Sequence, residues 1–330
     1  MSSLSVAECH RSLHHGLIPA VPVMFSASGE VDAAAQEHYV AHMASQPVGG
    51  VAVWAHTGRG LLLSREQRSQ VLRAWRDGLG PGKTLIAGVG GSRQQAGDPR
   101  AFIDSALRMA ADALQNGAHA LMAYAPTPFR QSRTCEDLTL EYHKQLASMG
   151  APLILFYLYE AAGGISYSLA LLRTLFALPQ VVGIKLATLD SVMTFQDVAC
   201  LINREFPEKL LITGEDRFLG YSLMCGAQAA LIGMGAACTG LQLDLVQAYF
   251  QARAAEFLTL SRLVDELAEG LFVSPMEGYI RRVLWTLVHE GIIGRESSHD
   301  PWGPELREGE FTEIVDVLRK VAQIEQAKRN

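Results

Sequence analysis

The chain is short of cysteine, of charge and of long apolar runs, and each shortage excludes something. Its five cysteines (Cys9, Cys135, Cys200, Cys225 and Cys238) are an odd number, widely scattered, with no CxxC pair and no histidine at zinc-ligand spacing. A disulfide framework or a structural zinc site needs clustered, spaced cysteines, so neither is expected, and a reducing cytoplasm is the expected compartment. Charged residues make up only 19% of the chain and sum to a net charge of −6. Nucleic-acid binding rests on a field of Lys and Arg against phosphates, so no such partner is expected. No apolar run reaches the roughly 18 residues of a membrane-spanning helix. The leading segment MSSLSVAECHRSLHH also lacks the cationic, apolar and small-residue order of a secretory signal. Neither a low-complexity tract nor a repeat at solenoid spacing occurs.

What the chain does have is apolar bulk, 49% of 330 residues, enough for a large core. From about residue 17 to 255, short β-rich runs alternate with longer helical patterns, the signature of repeated βα units around a parallel sheet. Eight strands are expected: Leu17 to Met24, Gly49 to Ala55, Thr84 to Gly88, His119 to Tyr124, Pro152 to Tyr157, Val181 to Ala187, Leu210 to Thr213 and Ala229 to Gly233. Their unbroken apolar character suits strands covered on both faces. Helix starts are read at Asp32, at Ser64 and at Asp98 with Pro99 behind it, and helix ends at Gly117 and Gly150. The fold class is therefore an α/β (β/α)8 TIM barrel over 1–255. A C-terminal extension over 256–330 is expected to pack on it, built from the helical patterns AEFLTLSRLVDELAEGLF, EGYIRRVLWTLVHEG and EFTEIVDVLRKVAQIEQ. Between the last two lies a polar loop, RESSHDPWGPELREGE.

Three features carry chemistry. Lys185 lies in VVGIKLA, on a strand buried on both faces. Burial favours the neutral amine, which is what a nucleophile attacking a ketone requires; the plainer reading is a lysine that snorkels to solvent from a strand end. Tyr157 ends the preceding strand, PLILFY, where a phenol at the catalytic face can relay protons or merely cap the barrel, with Phe156 and Tyr159 as close competitors. The turn AHTGRG after the second strand offers backbone amides and the Thr57 hydroxyl to a carboxylate, although any strand-to-helix loop can contain Thr-Gly. Arg59, Arg130 and Arg133 sit on loops of the same face, free to grip a second carboxylate or simply to be solvated. Glu215 and Asp216 read as helix-start residues. The GVGGS run at 88–92 and the loop GMGAACTG are glycine-rich enough to raise phosphate binding, on weak grounds.

Taken together, these residues resemble the dihydrodipicolinate synthase and N-acetylneuraminate lyase family of class I aldolase-type barrels. The segments that carry the resemblance run almost end to end: LIPAVPVMFSASGEVD, HTG with LLLSREQR, LIAGVG, LFYLYEAAGG, VVGIKLATLD, ITGEDRFL and GAQAALIG. The resemblance implies that Lys185 forms a Schiff base with a 2-oxo acid. It implies further that Tyr157, 28 residues before it, is the relay phenol and that Thr57 is the hydroxyl of the carboxylate turn. Phe156 competes if one counts from Pro152; Tyr157 is preferred because phenylalanine has no proton to relay and a bulge can absorb one residue. His56, Gly58, Arg59, Arg130 and Ile232 are assigned to substrate contact. Departures from the family pattern are Arg59 in place of a glutamate, Ala162 in place of an arginine, and YAPTPFR without the synthase's relay tyrosine.

The expected function is a lyase or aldolase acting on pyruvate or another 2-oxo acid, with a sugar-acid dehydratase as the nearest alternative. A non-catalytic oxo-acid-binding or regulatory barrel and a phosphate-gripping isomerase stand further off. No cofactor and no metal are expected, the partners being a small 2-oxo acid and an aldehyde. The family suggests a homo-oligomer, tetramer or dimer.

Overall fold

A computed structural model describes residues 4–307 and 309–329. Met1 to Ser3 of the leading segment and Glu308 of the polar loop lie outside the described residues.

Eight strands alternate with helices: β1 (Leu17–Pro19), β2 (Gly50–Val53), β3 (Thr84–Val89), β4 (Ala120–Ala123), β5 (Leu153–Leu158), β6 (Val181–Ala187), β7 (Leu210–Thr213) and β8 (Ala229–Ile232). The helices are α1 (Val6–Leu13), α2 (Ala33–Ser45), α3 (Arg65–Gly78), α4 (Pro99–Gln115), α5 (Cys135–Ala147), α6 (Leu169–Phe176), α7 (Val192–Glu205), α8 (Leu219–Met224) and α9 (Thr239–Phe250). They are followed by α10 (Ala254–Leu271), α11 (Tyr279–His289) and α12 (Glu310–Arg329). All strands pair in parallel in the order β1-β8-β7-β6-β5-β4-β3-β2. A parallel bridge between Ala20 and Ala52 closes the ring. The fold is a (β/α)8 barrel with a three-helix C-terminal extension. β1 is shorter than the run Leu17 to Met24 suggested. The Val21 amide still donates to the Ala52 carbonyl at 3.1 Å, but Pro22 has no N–H for a ladder, and from there the backbone leaves the sheet.

The helix starts follow from local chemistry. Asp32 accepts the Ala35 amide at 3.1 Å, Ser64 and Gln67 form a reciprocal capping box, and Asp98 caps α4 with Pro99 at its first position. Gly117 and Gly150 follow α4 and α5 at φ of 102° and 79°, a region that L side chains rarely adopt. Along each strand, side chains alternate between two cores. Ile18, Ala52, Ile86, Met122, Ile154, Phe156, Ile212 and Leu231 fill the barrel interior, while Val51, Leu121, Leu155, Tyr157, Ile184, Leu186 and Ile232 pack in the layer beneath the helices. Cys9 and Leu13 of α1 are fully buried against the inner core, so α1 plugs the amino-terminal end of the barrel. The opposite end, where the strands finish, stays open to the loops that build the site.

In the extension, α10 packs on α8 and α9, and α12 on α10 and α11. Buried Arg282 of α11 organises the turn between α10 and α11. Its Nε donates to Glu310 Oε2 at 2.9 Å, and Nη1 donates to the carbonyls of Leu271, Val273 and Pro275. That turn carries Met276 and Glu277 over the barrel mouth. Among the described residues no helix is long and apolar enough to cross a membrane. Among the five cysteines, Cys9 is buried and Cys200 exposed.

Candidate active site

At the carboxyl ends of the strands a cavity is lined by Thr57 after β2, Phe156 and Leu158 on β5, Lys185 and Ala187 on β6, Gly214 and Asp216 after β7 and Gly233 after β8. This is where enzymes of this barrel class place their chemistry. The extension closes its roof with Phe272, Met276, Glu277 and Tyr279. A roomier groove lies at the other end of the barrel, beside α1, lined by Trp75, Lys83, Thr84 and His119; the Lys83 amine there donates to the Ala44 carbonyl at 2.7 Å.

Lys185 is 6% exposed and its Nζ lies 4.5 Å from the centroid of the Phe156 ring. Burial lowers its pKa to about 8, against the opposing pull of Asp216 and Glu215. The neutral fraction at pH 7 is then about a tenth, several hundred times that of an ordinary lysine. Gly214 makes room for the lysine stem, since a Cβ there would stand 2.7 Å from Lys185 Cε.

Tyr157 is not at this site. In β5–β6 pairing Phe156 is level with Lys185 and Tyr157 with Leu186, and the Tyr157 ring packs in the outer layer against Tyr167, 5.4 Å between centroids. The cause is a bulge. Leu153 pairs with Val181 but Ile154 pairs with Gly183, so Val182 is an extra residue on β6 and counting 28 residues back from the lysine lands one position late. A bulge is present, then, but it favours Phe156. Ile232 is likewise one residue off: it packs in the outer layer, and Gly233 lines the cavity instead.

The turn after β2 is where it was expected, with a different set of partners. Thr57 Oγ1 lies 3.0 Å from the Tyr279 hydroxyl. His56 Nε2 lies 2.9 Å from Glu277 Oε1, and Gly58 packs with no room for a Cβ beneath the Val21 carbonyl. Arg59, in the left-handed region at φ of 52°, does not reach toward a ligand. Its Nη1 donates to Glu277 Oε2 at 2.6 Å, and its Nε and Nη2 donate to the two Asp300 oxygens at 3.2 and 2.7 Å. Burial tends to raise the Glu277 pKa, but the hydrogen bonds and charges of His56 and Arg59 outweigh it and hold the carboxyl at about 2. Arg130 is exposed, 4.0 Å from Glu160 and outside the cavity lining, and Arg133 is exposed as well.

Glu215 and Asp216 are not helix-start residues, because α8 begins at Leu219. Buried Glu215 accepts from the Thr188 amide and hydroxyl and from the Leu189 amide, at 2.6, 3.0 and 3.0 Å, and so shapes the loop that follows Lys185. Asp216 accepts from the Met234 amide at 2.7 Å. Burial raises the two carboxyls to about 7 and about 6. In the loop after β8 the Met234 and Cys238 amides thus already bond carboxylates, Asp216 and Glu290, which leaves little of the phosphate cradle its glycines suggested. In GVGGS, Gly91 faces the Phe102 ring, where a Cβ would clash, and the Ser92 amide bonds Ser105. Among the described residues no group of three or more His, Cys, Asp or Glu is placed to hold a metal ion. Tyr279, Glu277 and Asp300 went unseen in the sequence. The EGYIRR segment places an acid and a phenol at a helix start, but nothing local says that this helix start roofs the barrel.

A desolvated lysine at the carboxyl end of a parallel barrel, beside a hydroxyl-bearing turn, defines a Schiff-base aldolase or lyase barrel. The chain matches the dihydrodipicolinate synthetase family over residues 13–320 and belongs to that family. It is 24% identical over 318 residues, 96% of each chain, to N-acetylneuraminate lyase 2 of Escherichia coli O6:H1. To 4-hydroxy-tetrahydrodipicolinate synthase of a Synechococcus species it is 26% identical, over 78% of this chain and 80% of that one. Among solved structures, Ruminococcus gnavus sialic acid aldolase superposes with a TM-score of 0.80 at 18% identity, covering 96% of this chain and 99% of that one. A prophage protein of the dihydrodipicolinic acid synthase family from Escherichia coli K12, solved with pyruvate, gives 0.79 at 20%, covering 93% and 98%.

Proposed function

We propose that Lys185 forms an imine with the ketone of pyruvate or another 2-oxo acid and that the protein makes or breaks a carbon–carbon bond at C3. The observation that carries this is the buried amine at the floor of the cavity, brought down to about 8 by desolvation. Attack by the neutral amine and loss of water give an iminium, an electron sink that allows C3 to become nucleophilic or to be released. The Thr57–Gly58 turn is suited to the substrate carboxylate through its amides and hydroxyl. Two structural relatives support the reading, one solved with pyruvate and one also solved as a catalytic-lysine mutant.

The partner carbonyl compound is an uncharged one. Arg59, the cation nearest the turn, is saturated by Asp300 and Glu277, and Leu158, Ala162, Leu189, Phe272 and Met276 make the remaining wall largely apolar. A reducing cytoplasm and a homotetramer or dimer belong to the same reading. Scattered thiols support the first, and light scattering on the purified chain tests the second.

Borohydride reduction in the presence of pyruvate, followed by peptide mass mapping, tests the imine. A covalent adduct on Lys185, lost in Lys185→Ala, is expected. No adduct with pyruvate or with larger 2-oxo acids would remove the proposal.

A further inference from the structure

Imine chemistry needs a group that gives and takes protons, and β5 does not supply one, because the residue beside Lys185 is Phe156. Of the residues that line the cavity, the phenols are Tyr159 and Tyr279. Tyr159 is half-buried at the rim. Tyr279, the first residue of α11, is buried, stacks on Phe272 at 4.6 Å and lies nearly parallel to the His56 ring at 6.4 Å. Its hydroxyl lies 3.0 Å from Thr57 Oγ1. The barrel leaves a gap for it, since a Cβ on Gly233 would stand 2.9 Å both from Thr57 Oγ1 and from Tyr279 Cε2. Lys185, Asp216 and Tyr279 all line the one cavity, so the phenol and the amine face the same enclosed space.

We propose that Tyr279, contributed by the C-terminal extension, is the acid–base residue of the Lys185 imine, with Thr57 as its hydrogen-bond partner. The proposal rests on imine formation at Lys185. In the first step Nζ adds its lone pair to C2 of the oxo acid, and the carbonyl electrons move to oxygen, which takes the Tyr279 proton. The phenolate then takes the proton that the new ammonium gives up. A second transfer from the phenol to the carbinolamine hydroxyl lets it leave as water while the nitrogen lone pair closes the C=N bond. The phenolate left behind removes a proton from C3, forming the enamine and restoring the phenol. Two protons leave Tyr279 and two return, so no outside acid or base is required. Burial raises the phenol well above its ordinary range, which keeps it protonated at rest and makes its phenolate a strong base for C3.

Exchange of the pyruvate methyl protons in D2O, followed by NMR, reads this step without a second substrate. Tyr279→Phe, which deletes one oxygen, is expected to slow exchange at least about a hundredfold, while the slow borohydride adduct on Lys185 still forms. Thr57→Val is expected to slow it at least about tenfold. Tyr157→Phe, in the outer layer, is expected to exchange at the wild-type rate. If wild type forms the Lys185 adduct but Tyr279→Phe and Thr57→Val exchange within about threefold of it, or if Tyr159→Phe alone abolishes exchange, Tyr279 is not the acid–base group and the imine stands. If wild type forms no adduct, both readings fall.

Discussion

The ammonium form of Lys185 is the costly one, because the inner barrel offers it an aromatic face and two carboxyls that are themselves desolvated. A lysine pKa of about 8, against 10.5 for the free group, means that the folded chain binds fewer protons than the unfolded chain between these values. The destabilisation from this residue is therefore complete below about pH 8 and disappears as pH rises toward 10.5, and at pH 7 it amounts to about 3 kcal/mol. Lys185→Met is expected to raise the urea midpoint at pH 7 and to lose that advantage by pH 10.5. The rate of imine formation in the wild type, followed by borohydride trapping, should climb with an apparent pKa near 8 and level off above it. A midpoint near 10 would show that the amine is not desolvated when it reacts. The neighbouring aromatics show how one residue decides a role: Phe156 and Tyr157 are adjacent in sequence, yet one faces the lysine and the other the helices.

At the level of elements, the loop after β2 and the turn before α11 are held together by charge. Arg59 lies between Asp300 and Glu277, and Glu277 also holds His56. Arg59 is 8% exposed and the Asp300 side chain 1%, so removing Asp300 leaves the buried guanidinium half-paired, on Glu277 alone, a loss below the roughly 3–5 kcal/mol of a fully stranded charge. Asp300→Ala is accordingly expected to lower stability by about 1–3 kcal/mol in denaturant titrations and, because Tyr279 begins the helix that the turn leads into, to slow pyruvate exchange. Replacement without a measurable loss would show that Arg59 is solvated in solution. The bulge at Val182 acts at the same scale. One inserted residue keeps both strands paired while shifting which side chains of β5 stand beside those of β6, and for this reason a spacing count carried from strand to strand went astray at Tyr157.

Across the whole molecule, the extension completes a site that the barrel only begins. The barrel contributes the lysine, the Thr57 turn and Asp216; the extension contributes Tyr279, Glu277 and Asp300, and its ion pairs consume the Arg59 guanidinium. With Glu277 ionised over the whole neutral range and the net charge at −6, the entrance disfavours a second anion. In assays with pyruvate, uncharged aldehydes are expected to exceed aldehydes bearing a carboxylate by about tenfold or more in kcat/KM, a difference of roughly 1.4 kcal/mol. A preference for the anionic partner would mean that Arg59 leaves its carboxylates when substrate binds.

By itself the sequence determined the eight βα units, because alternation, caps and glycine turns are local properties and each is written within a few residues. It also determined the buried Lys185, because a charge embedded in VVGIKLA has few alternatives. The side of β5 that faces the lysine was decided only in three dimensions, since strand direction depends on a bulge that no neighbouring residue announces. So was the source of the site's phenol: Tyr279 meets Thr57 across 222 positions of sequence, a contact made by the packing of the extension over the barrel mouth and by nothing local to either residue.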